Sequence, residues 1–520
     1  MGHITKRLGT LLDDMEQGKL LLPELQRDFV WRRNQVLLLF NSLYRELPIG
    51  YMVIWEARGS TVQTKAFEKQ DKPHKRQQYS SVQYLLDGQQ RLTTIKLVRD
   101  GDERFPLFFS LSSQQFRYCR NGKQNNDEIQ VADVLAEDFE YEPILDKHSD
   151  TPEKKEPFLK RLNKLRKILD LSIGIIEFES DSLQDAMELF IRLNSSGKKL
   201  NKPDLAQAEL AKRAPGLLRG KIEEARISWR EKGFTFSTPF LVECLAVVAT
   251  GKTWAKAPTY EIKTFWKQLD EKSFHEEWEN TRRGISKTIT LLTGCVRWNS
   301  SDWITSFSAV LTLIFISAKN KGRDRDDELA RRWLLLATVR GYFNGDRQTR
   351  LDDALKALKD HATFKQLWDH TRKHLKKLGT KDFVVRQSNG PLMALYISFV
   401  RNHDAKDWSN GTPLDGTVKG HNAALEVHHF FPKHLLRKHG FEQIDIHTFA
   451  NYTILSKDGN LEVGSEEPRA YLSRLNVTTD ELHAQCIPQK EELWGVDQYP
   501  FFIETRRELL AKQCNEFLGL

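Results

Sequence analysis

The chain has 520 residues, of which 39% are hydrophobic and 29% are charged, a balance typical of globular proteins. One hydrophobic core rarely grows beyond about 250–300 residues, so this length predicts two or three domains. The 79 Lys and Arg against 71 Asp and Glu give a net charge of +8, which is compatible with nucleic-acid binding and too small to require it.

Several protein classes are disfavoured by simple sequence features. The 5 cysteines lie far apart and form no Cys-x-x-Cys pair, which argues against a disulfide framework or a zinc knuckle and favours the cytoplasm. The first residues contain no apolar signal-peptide core. The longest apolar stretch, 303–318, is short and interrupted by Ser and Thr, so it predicts a buried helix and we expect no membrane span.

The first two hundred residues alternate predicted strands and helices. Apolar residues at helical spacing predict a helix over 34–46 with Asn34 as its N-cap. Strands are predicted over 51–55, over 84–87 and over 173–178, and the second of these runs through a tight turn into a helix. The charge-rich stretch 145–165 is interpreted as a surface connection, and a helix is predicted over about 183–193. The pattern indicates a mixed α/β domain.

The tight turn after the second strand carries the sequence Asp87-Gly-Gln-Gln-Arg91. Gly88 permits a close backbone approach, the helix N-terminus presents free amides to an anion, and Arg91 suits bidentate contact with phosphate. The carboxylate of Asp87 is suited to hold a cation that bridges phosphates, or to polarise a water molecule. A second cationic and aromatic cluster contains Gln26, Arg27, Phe29 and Trp31. Taken alone, the turn is equally compatible with a capped turn that holds an Arg salt bridge.

From about 205 to 399 the chain is predicted to be mostly helical, because amphipathic stretches recur and few strand signals intervene. We interpret this region as a scaffold. Within it, 370–381 is basic without a carboxylate, as phosphate binding requires, although such runs are commonly solvated faces. The residues predicted to contact DNA are Arg372, Lys373, Lys376 and Lys377 here, and Lys433 and Arg437 further on.

The strongest chemical signal is the run 425–432 (LEVHHFFP), followed by Asn451 and Asn460. Side chains alternate along a strand, so His428 and His429 face opposite sides, and one can hold a metal ion while the other meets a water molecule. Phosphodiester hydrolysis needs both a base and a cation. Asn460 offers an oxygen ligand suited to Mg²⁺ or Mn²⁺, and Asn451 is expected to fix the tautomer of the base histidine. The neighbouring His421, His434, His439 and His447 are interpreted as bystanders.

This ordered set resembles the HNH (ββα-metal) endonuclease superfamily. The resemblance implies that His429 is the general base, His428 a metal ligand, Asn451 the middle asparagine and Asn460 the final ligand on the helix that closes the ββα fold. His428 stands where Asp is commoner and Phe430 where Ile is commoner.

The N-terminal half resembles the ParB-like DGQQR domain of GmrSD-type, modification-dependent (type IV) restriction enzymes. The resemblance rests on 23–31 (PELQRDFVW), 47–50 (LPIG), 86–94 (LDGQQRLTT) and 190–205, and it covers about 8–210 and 410–475. It implies binding and hydrolysis of a nucleoside triphosphate, coupled to DNA cleavage. The implied nucleotide-binding residues are Gln26, Arg27, Asp87, Gly88, Gln89, Gln90, Arg91 and Asn194, with Asp87 also catalytic.

We therefore predict an α+β multidomain chain: a ParB-like α/β domain (1–210), a helical scaffold (211–405) and a ββα-metal HNH module (406–520). The predicted function is a cytoplasmic phage-defence endonuclease that cleaves or nicks double-stranded, modified DNA with a divalent metal and is controlled by a nucleoside triphosphate. A homo-oligomer and partner defence proteins remain open. The alternatives are an N-terminal domain that senses DNA or a protein signal without hydrolysing nucleotide, and a DNA-binding regulator with a decayed nuclease.

Overall fold

The computed structural model describes most of the chain: residues 2–23, 31–57, 64–65, 82–118, 127–136, 138–149, 152–180, 189, 202–253, 266, 269–320, 326–359, 362–385, 390–416 and 425–520. It divides into two compact units. The first contains Met1–Glu223 and Thr259–Glu271, and the second contains Glu224–Pro258 and Lys272–Leu520. Within the described ranges, no helix combines the length and the apolar character needed to cross a membrane.

The first unit contains two sheets. In chain order, its strands are β1 (Gly2–Arg7), β2 (Leu20–Pro23), β3 (Met52–Ala57), β4 (Thr64–Lys65), β5 (Val82–Asp87), β6 (Leu107–Ser110), β7 (Phe116–Tyr118), β8 (Glu128–Gln130) and β9 (Ser172–Glu179). The larger sheet has the order β1-β9-β3-β5-β2-β4, and its pairs alternate between antiparallel and parallel. The smaller sheet has the order β7-β6-β8 and is antiparallel. The predicted strands over 51–55, 84–87 and 173–178 are confirmed.

The larger sheet buries apolar side chains on both faces. Neighbouring residues of a strand point to opposite sides, so alternate residues of β3 enter two different clusters. Met52 and Ile54 of β3 belong to the main core of the unit, where helices pack on the sheet. Val53 and Trp55 belong to a smaller cluster with Tyr84. There the rings of Trp55 and Tyr84 stack with centroids 5.0 Å apart. The first unit is therefore a mixed α/β domain, as the sequence predicts.

Two local predictions for this unit are wrong. The second helix begins at Arg33 rather than Asn34, and its N-cap is Arg32, whose backbone N–H donates to Gln35 Oε1 at 2.9 Å. The charge-rich stretch 145–165 is not a surface connection but contributes to two helices, Tyr141–His148 and Pro152–Arg166. Phe158, Leu162 and Leu165 are buried at helical spacing, and the intervening charges conceal this stripe in the sequence. The remaining helices of the first unit are Leu8–Glu16, Gln89–Arg99, Val131–Leu135 and Lys202–Arg213.

Helices dominate the first part of the second unit, as predicted. They are Glu223–Glu231, Thr238–Thr250, Glu271–Gly294, Phe307–Lys319, Asp327–Val339, Arg347–Ala357, Phe364–Thr371 and Gly390–Asn402. Phe307–Lys319, which holds most of the longest apolar stretch, is the expected core helix, since ten of its 13 residues are buried. The helix expected over 183–193 lies almost entirely outside the described residues.

The last part of the second unit is a short hairpin surrounded by helices. Its strands are β10 (Leu425–His429) and β11 (Tyr452–Ser456), and its helices are Lys433–Lys438, Gln443–Ile446, Lys457–Val463, Pro468–Arg474, Thr479–His483 and Tyr499–Phe517. Direct bonds join this part to the helices before it. Tyr396 Oη donates to the carbonyl of Gln485 at 2.8 Å, and Arg506 Nη2 donates to Tyr396 Oη at 3.1 Å. The domain boundary expected after 405 stays a prediction.

Candidate functional site

The histidine pair lies at the end of strand β10, in a strand–strand–helix arrangement. β10 pairs antiparallel with β11, so that His428 lies opposite Thr453 and His429 opposite Tyr452. β11 leads directly into helix Lys457–Val463, whose N-cap Ser456 accepts a hydrogen bond from Gly459 N at 3.0 Å. This helix returns over the hairpin and carries Asn460 back to the strand that holds the histidines.

On one side of the hairpin, His428 and Asn460 are brought together. His428 Nδ1 lies 2.5 Å from Asn460 Oδ1. Asn460 Nδ2 donates to Glu426 Oε2 at 2.6 Å, which aims the amide oxygen at the imidazole. Burial lowers the pKa of His428, and the Asn460 contact together with the carboxylates of Asp407 and Glu426 opposes this shift. The imidazole is therefore neutral near pH 7, the form that binds a metal ion.

His429 faces the other side of the hairpin, as the alternation predicts. Its Nε2 lies 3.2 Å from His447 Nδ1, which also lies 3.0 Å from Tyr452 Oη. Burial, followed by the nearby cations Lys433 and Arg437 and the two histidines, lowers the pKa of His429 to about 3. The side chain is neutral at pH 7 and retains a lone pair for a proton. His447 was expected to be a bystander, and its proximity to His429 comes from tertiary structure.

Asn451 does not contact the imidazole of His429, so the prediction that it fixes the His429 tautomer is wrong. Its side chain is fully buried and holds two backbone segments instead. Oδ1 accepts from Phe431 N at 2.9 Å, and Nδ2 donates to the carbonyls of Phe431 and Ile446 at 3.2 and 3.1 Å. The reason is its position just before β11, beneath the loop that follows the histidines. Asn451 therefore fixes the backbone on which His429 and His447 stand.

Phe430 stands where the HNH motif more commonly has isoleucine, and it packs in an aromatic core that accounts for the larger side chain. Its ring stacks on Phe502 with centroids 4.7 Å apart and an interplanar angle of 5°. It also makes edge contacts with Trp408 and Tyr471. The larger side chain fills the space beneath the histidine loop and is fully buried.

Asp407 is a buried carboxylate that supports the site from outside the motif. Its Oδ2 accepts from Ser456 N at 2.6 Å, and its Oδ1 accepts from the backbone and hydroxyl of Ser409 at 2.9 and 2.6 Å. A Cβ added at Gly459 would overlap this carboxylate, so glycine is required where the helix that carries Asn460 begins. Sequence reasoning missed Asp407. The only available signal was the change of composition after it.

The basic residues predicted to contact DNA are all exposed. Lys433 and Arg437 lie one helical turn apart on Lys433–Lys438, close enough to His429 for their charge to lower its pKa. The cluster of Arg372, Lys373, Lys376 and Lys377 lies on a segment that continues to Val385. The carbonyl of Val385 accepts from Phe449 N at 2.7 Å, which ties this segment to the turn that contains Asn451.

In the first unit, the Asp87–Arg91 turn has the geometry expected of its glycine. Gly88 has φ +97°, and a Cβ there would lie 2.7 Å from Met52 Cγ. Arg91 donates to Asp87 Oδ2 at 3.0 Å and to the carbonyls of Ile49 and Tyr51 at 2.5 and 2.9 Å. The Arg salt bridge that a simple capped turn would contain is thus present. Both terminal nitrogens of Arg91 have partners within the protein.

The Arg91 contacts also connect two motifs that lie far apart in the sequence. Gly50, the last residue of the LPIG run, has φ +87°, and a Cβ there would lie 2.8 Å from Arg91 Nη1. Gln89 and Gln90 are buried, with 7% and 9% of their surface exposed. Asp87 is the accessible member of the turn, since 45% of its side chain is exposed. Gln26, Arg27 and Asn194 lie outside the described residues.

An open pocket of about 800 Å³ lies beside the same loop. It is lined by 46–51, by residues of β1 and by 171–174, and it includes the exposed side chain of Tyr51. None of the lining residues belongs to the Asp87–Arg91 turn or to the histidine site. The pocket therefore adds no chemical group to either site.

Two comparisons relate the chain to known proteins, one over most of its length and one over the first unit. Over 525 positions the chain is 22% identical to an uncharacterized protein of Methanocaldococcus jannaschii, an alignment that covers 91% of this chain and 87% of that protein. Residues 8–211 match the family model described as the GmrSD restriction endonuclease, N-terminal domain. This range contains the Asp87–Arg91 turn and agrees with the N-terminal resemblance inferred from the motifs. The N-terminal part of the chain is thus similar to the N-terminal domain of GmrSD restriction endonucleases.

Proposed function

We propose that the chain is a metal-dependent DNA endonuclease of the restriction type, acting in defence against foreign, modified DNA. The observation that carries this proposal is that one strand–strand–helix arrangement places Asn460 against His428 on one side of the hairpin and His429 at the adjacent strand position. The family match of residues 8–211 supports a restriction enzyme. The order of the motif and its resemblance to HNH enzymes support the chemistry of the second unit.

The residues present fit a divalent cation such as Mg²⁺ or Mn²⁺. Asn460 Oδ1 accepts a hydrogen bond from His428 Nδ1–H, so the lone pair of His428 lies on Nε2, and Asn460 Oδ1 keeps a second lone pair. His428 Nε2 is buried without a hydrogen-bond partner in the described part of the chain, and such an orphan is commonly explained by a water or an ion. No group of three or more His, Cys, Asp or Glu that could hold a metal occurs among the described residues. Two protein ligands suit Mg²⁺, which keeps several waters and binds phosphate oxygens.

In the proposed reaction, His429 takes a proton from the water that attacks the phosphorus. The imidazole of His429 is neutral at pH 7 and so has a lone pair that can take this proton. A divalent cation held by His428 and Asn460 would, when bound, stabilise the charge that develops on the phosphate and the leaving oxygen. Lys433 and Arg437 hold the phosphate backbone near His429, which fixes the position of the scissile strand.

The longer basic segment extends this DNA-binding surface. Arg372, Lys373, Lys376 and Lys377 are exposed, and their segment is bonded to the turn beside the hairpin through Val385 and Phe449. Contacts of this kind give affinity without sequence preference and weaken steeply with salt. We propose that these four residues bind DNA phosphates away from the cleavage position.

The function is tested by incubating the purified chain with plasmid and phage DNAs that carry different modifications. Each DNA is combined with Mg²⁺, Mn²⁺ or EDTA, with and without each nucleoside triphosphate. We expect cuts or nicks that require the divalent ion, that disappear with EDTA and that increase with a triphosphate on modified DNA. Absence of cleavage from every combination would contradict the proposal.

We further propose that a nucleoside triphosphate binds at the Asp87–Arg91 turn. The support is the positive φ of Gly88 at a helix N-terminus, the accessible Asp87 carboxylate and the family match. The second candidate is a domain that recognises a signal without hydrolysis, which is favoured by the contacts that Arg91 already makes within the protein.

The variant Asp87→Asn separates these two candidates. It keeps the size of the side chain and removes the charge that would hold a cation on the phosphates. If hydrolysis occurs at the turn, we expect phosphate release to fall by about 100-fold. Asp146→Asn, at an exposed carboxylate of helix Tyr141–His148, is the matched control and should be unchanged. No phosphate release from the wild type, or equal release from both variants, would favour the signal-recognition candidate.

A further inference from the structure

We propose that His447 is a positioning residue for His429. Its Nδ1–H donates to His429 Nε2, so that this nitrogen keeps its lone pair and the ring hydrogen of His429 stays on Nδ1. The kinetic part of the inference rests on the proposed nuclease function, whereas the hydrogen-bond direction does not.

The direction of the hydrogen bond follows from Arg437, which can only donate. Its guanidinium faces the side-chain amide of Gln443, so the amide oxygen must lie toward Arg437, with contacts of 3.0 Å from Nη2 and 3.3 Å from Nε. The amide nitrogen then faces His447 Nε2 at 3.0 Å and donates to it. His447 Nε2 is therefore an acceptor, and an imidazole that accepts at Nε2 carries its hydrogen on Nδ1.

That single hydrogen has two acceptors within reach. His447 Nδ1 lies 3.2 Å from His429 Nε2 and 3.0 Å from Tyr452 Oη. When a water molecule approaches His429, the N–H of His447 can donate to the tyrosine oxygen alone. Nε2 is released for the water without leaving a buried donor unsatisfied, a loss that costs about 1–3 kcal/mol elsewhere in proteins. His447 thus holds Nε2 unprotonated while the site is at rest.

The fold fixes this arrangement from both sides. His447 directly follows helix Gln443–Ile446, and Tyr452 is the cross-strand partner of His429. Asn451 Nδ2 bonds the carbonyl of Ile446, next to His447, and that of Phe431, two residues after His429. One buried amide therefore sets the separation of the two imidazoles, which explains its place in the motif without contact to either ring.

The tautomer is tested first, by ring ¹⁵N chemical shifts of the ¹⁵N-histidine-labelled full-length chain. The His429 signals are assigned by comparison with His429→Gln. We expect the wild type to carry hydrogen on His429 Nδ1, and we expect this preference to be lost in His447→Ala and weakened in Gln443→Leu. His447→Asn, whose amide presents a donor near the former Nδ1, should restore it. Hydrogen on His429 Nε2 in the wild type, or no change in His447→Ala, would overturn the proposal.

Cleavage kinetics supply the second readout. We expect His447→Ala to lower kcat by about 10- to 100-fold with little change in KM for DNA, as for other supporting residues of a reactive group. His447→Asn should recover most of the rate. The matched control is His439→Ala, an exposed histidine of the same region whose Nδ1 bonds the carbonyl of Leu435 in its own helix. Equal kcat in His447→Ala and wild type would overturn the positioning role.

The two readouts distinguish failure of the inference from failure of the nuclease proposal. In one outcome, the tautomers are as expected but His429→Ala cleaves DNA at the wild-type rate. This result would contradict the assignment of His429 as the base and would support the direction of the hydrogen bond. In the other outcome, the wild type carries hydrogen on His429 Nε2 but cleavage still requires His429. This result would contradict the inference about His447 and would support the nuclease proposal.

Discussion

His429→Ala is expected to lower the rate of DNA cleavage by about 10²- to 10⁴-fold, the usual contribution of a general base. The physical reason is that no other described group occupies the position of its lone pair, while His428 and Asn460 on the opposite side of the hairpin are unchanged. Nucleotide turnover should remain, because Asp87 and His429 belong to different compact units. The measurement is single-turnover cleavage of modified DNA beside phosphate release by the same preparation.

The control for this variant is His439→Ala, which removes an imidazole of the same region without touching the pair. It should cleave at the wild-type rate. Circular dichroism and thermal unfolding of both variants establish that each is folded. Cleavage that survives in a folded His429→Ala protein would show that another group activates the water.

Arg506→Met is expected to lower the free energy of unfolding of the second unit by about 3 kcal/mol or more. Arg506 is fully buried on helix Tyr499–Phe517. Its guanidinium donates to the carbonyls of Ala450, Gln485 and Cys486 at 2.9, 3.2 and 3.0 Å, and to Tyr396 Oη at 3.1 Å. Methionine retains much of the volume and none of the donors, so buried acceptors lose their partners.

Urea unfolding followed by tryptophan fluorescence measures this effect. The neighbouring Arg507→Met is the matched control, because Arg507 is only partly buried and its Nη2 donates to Thr448 Oγ1 at 3.0 Å. We expect about 0.5–1.5 kcal/mol for that single bond. A shift no larger for Arg506→Met than for Arg507→Met would contradict the argument. Because Ala450 precedes Asn451, the first variant should also impair cleavage by loosening the histidine loop.

The strand that carries the histidines was predicted from local pattern, and residues 425–429 form β10. Its partner β11, over Tyr452–Ser456, was not predicted. The opposite facing of His428 and His429 follows from the alternation of side chains along a strand. By contrast, the two helices within 145–165 were not predicted, because most of their residues are charged. Their few buried residues can be recognised only when it is known which face of each helix packs against the core.

The sequence by itself determined that His428, His429 and Asn460 are available in an order suited to metal-assisted hydrolysis, and that a glycine turn precedes Arg91. Only the tertiary structure decided which groups meet them: His447 at His429, Asp407 behind Asn460, and Gly50 against Arg91. The physical reason is that local pattern fixes the face on which a side chain lies. Its partners come from distant segments, whose approach depends on the packing of whole elements.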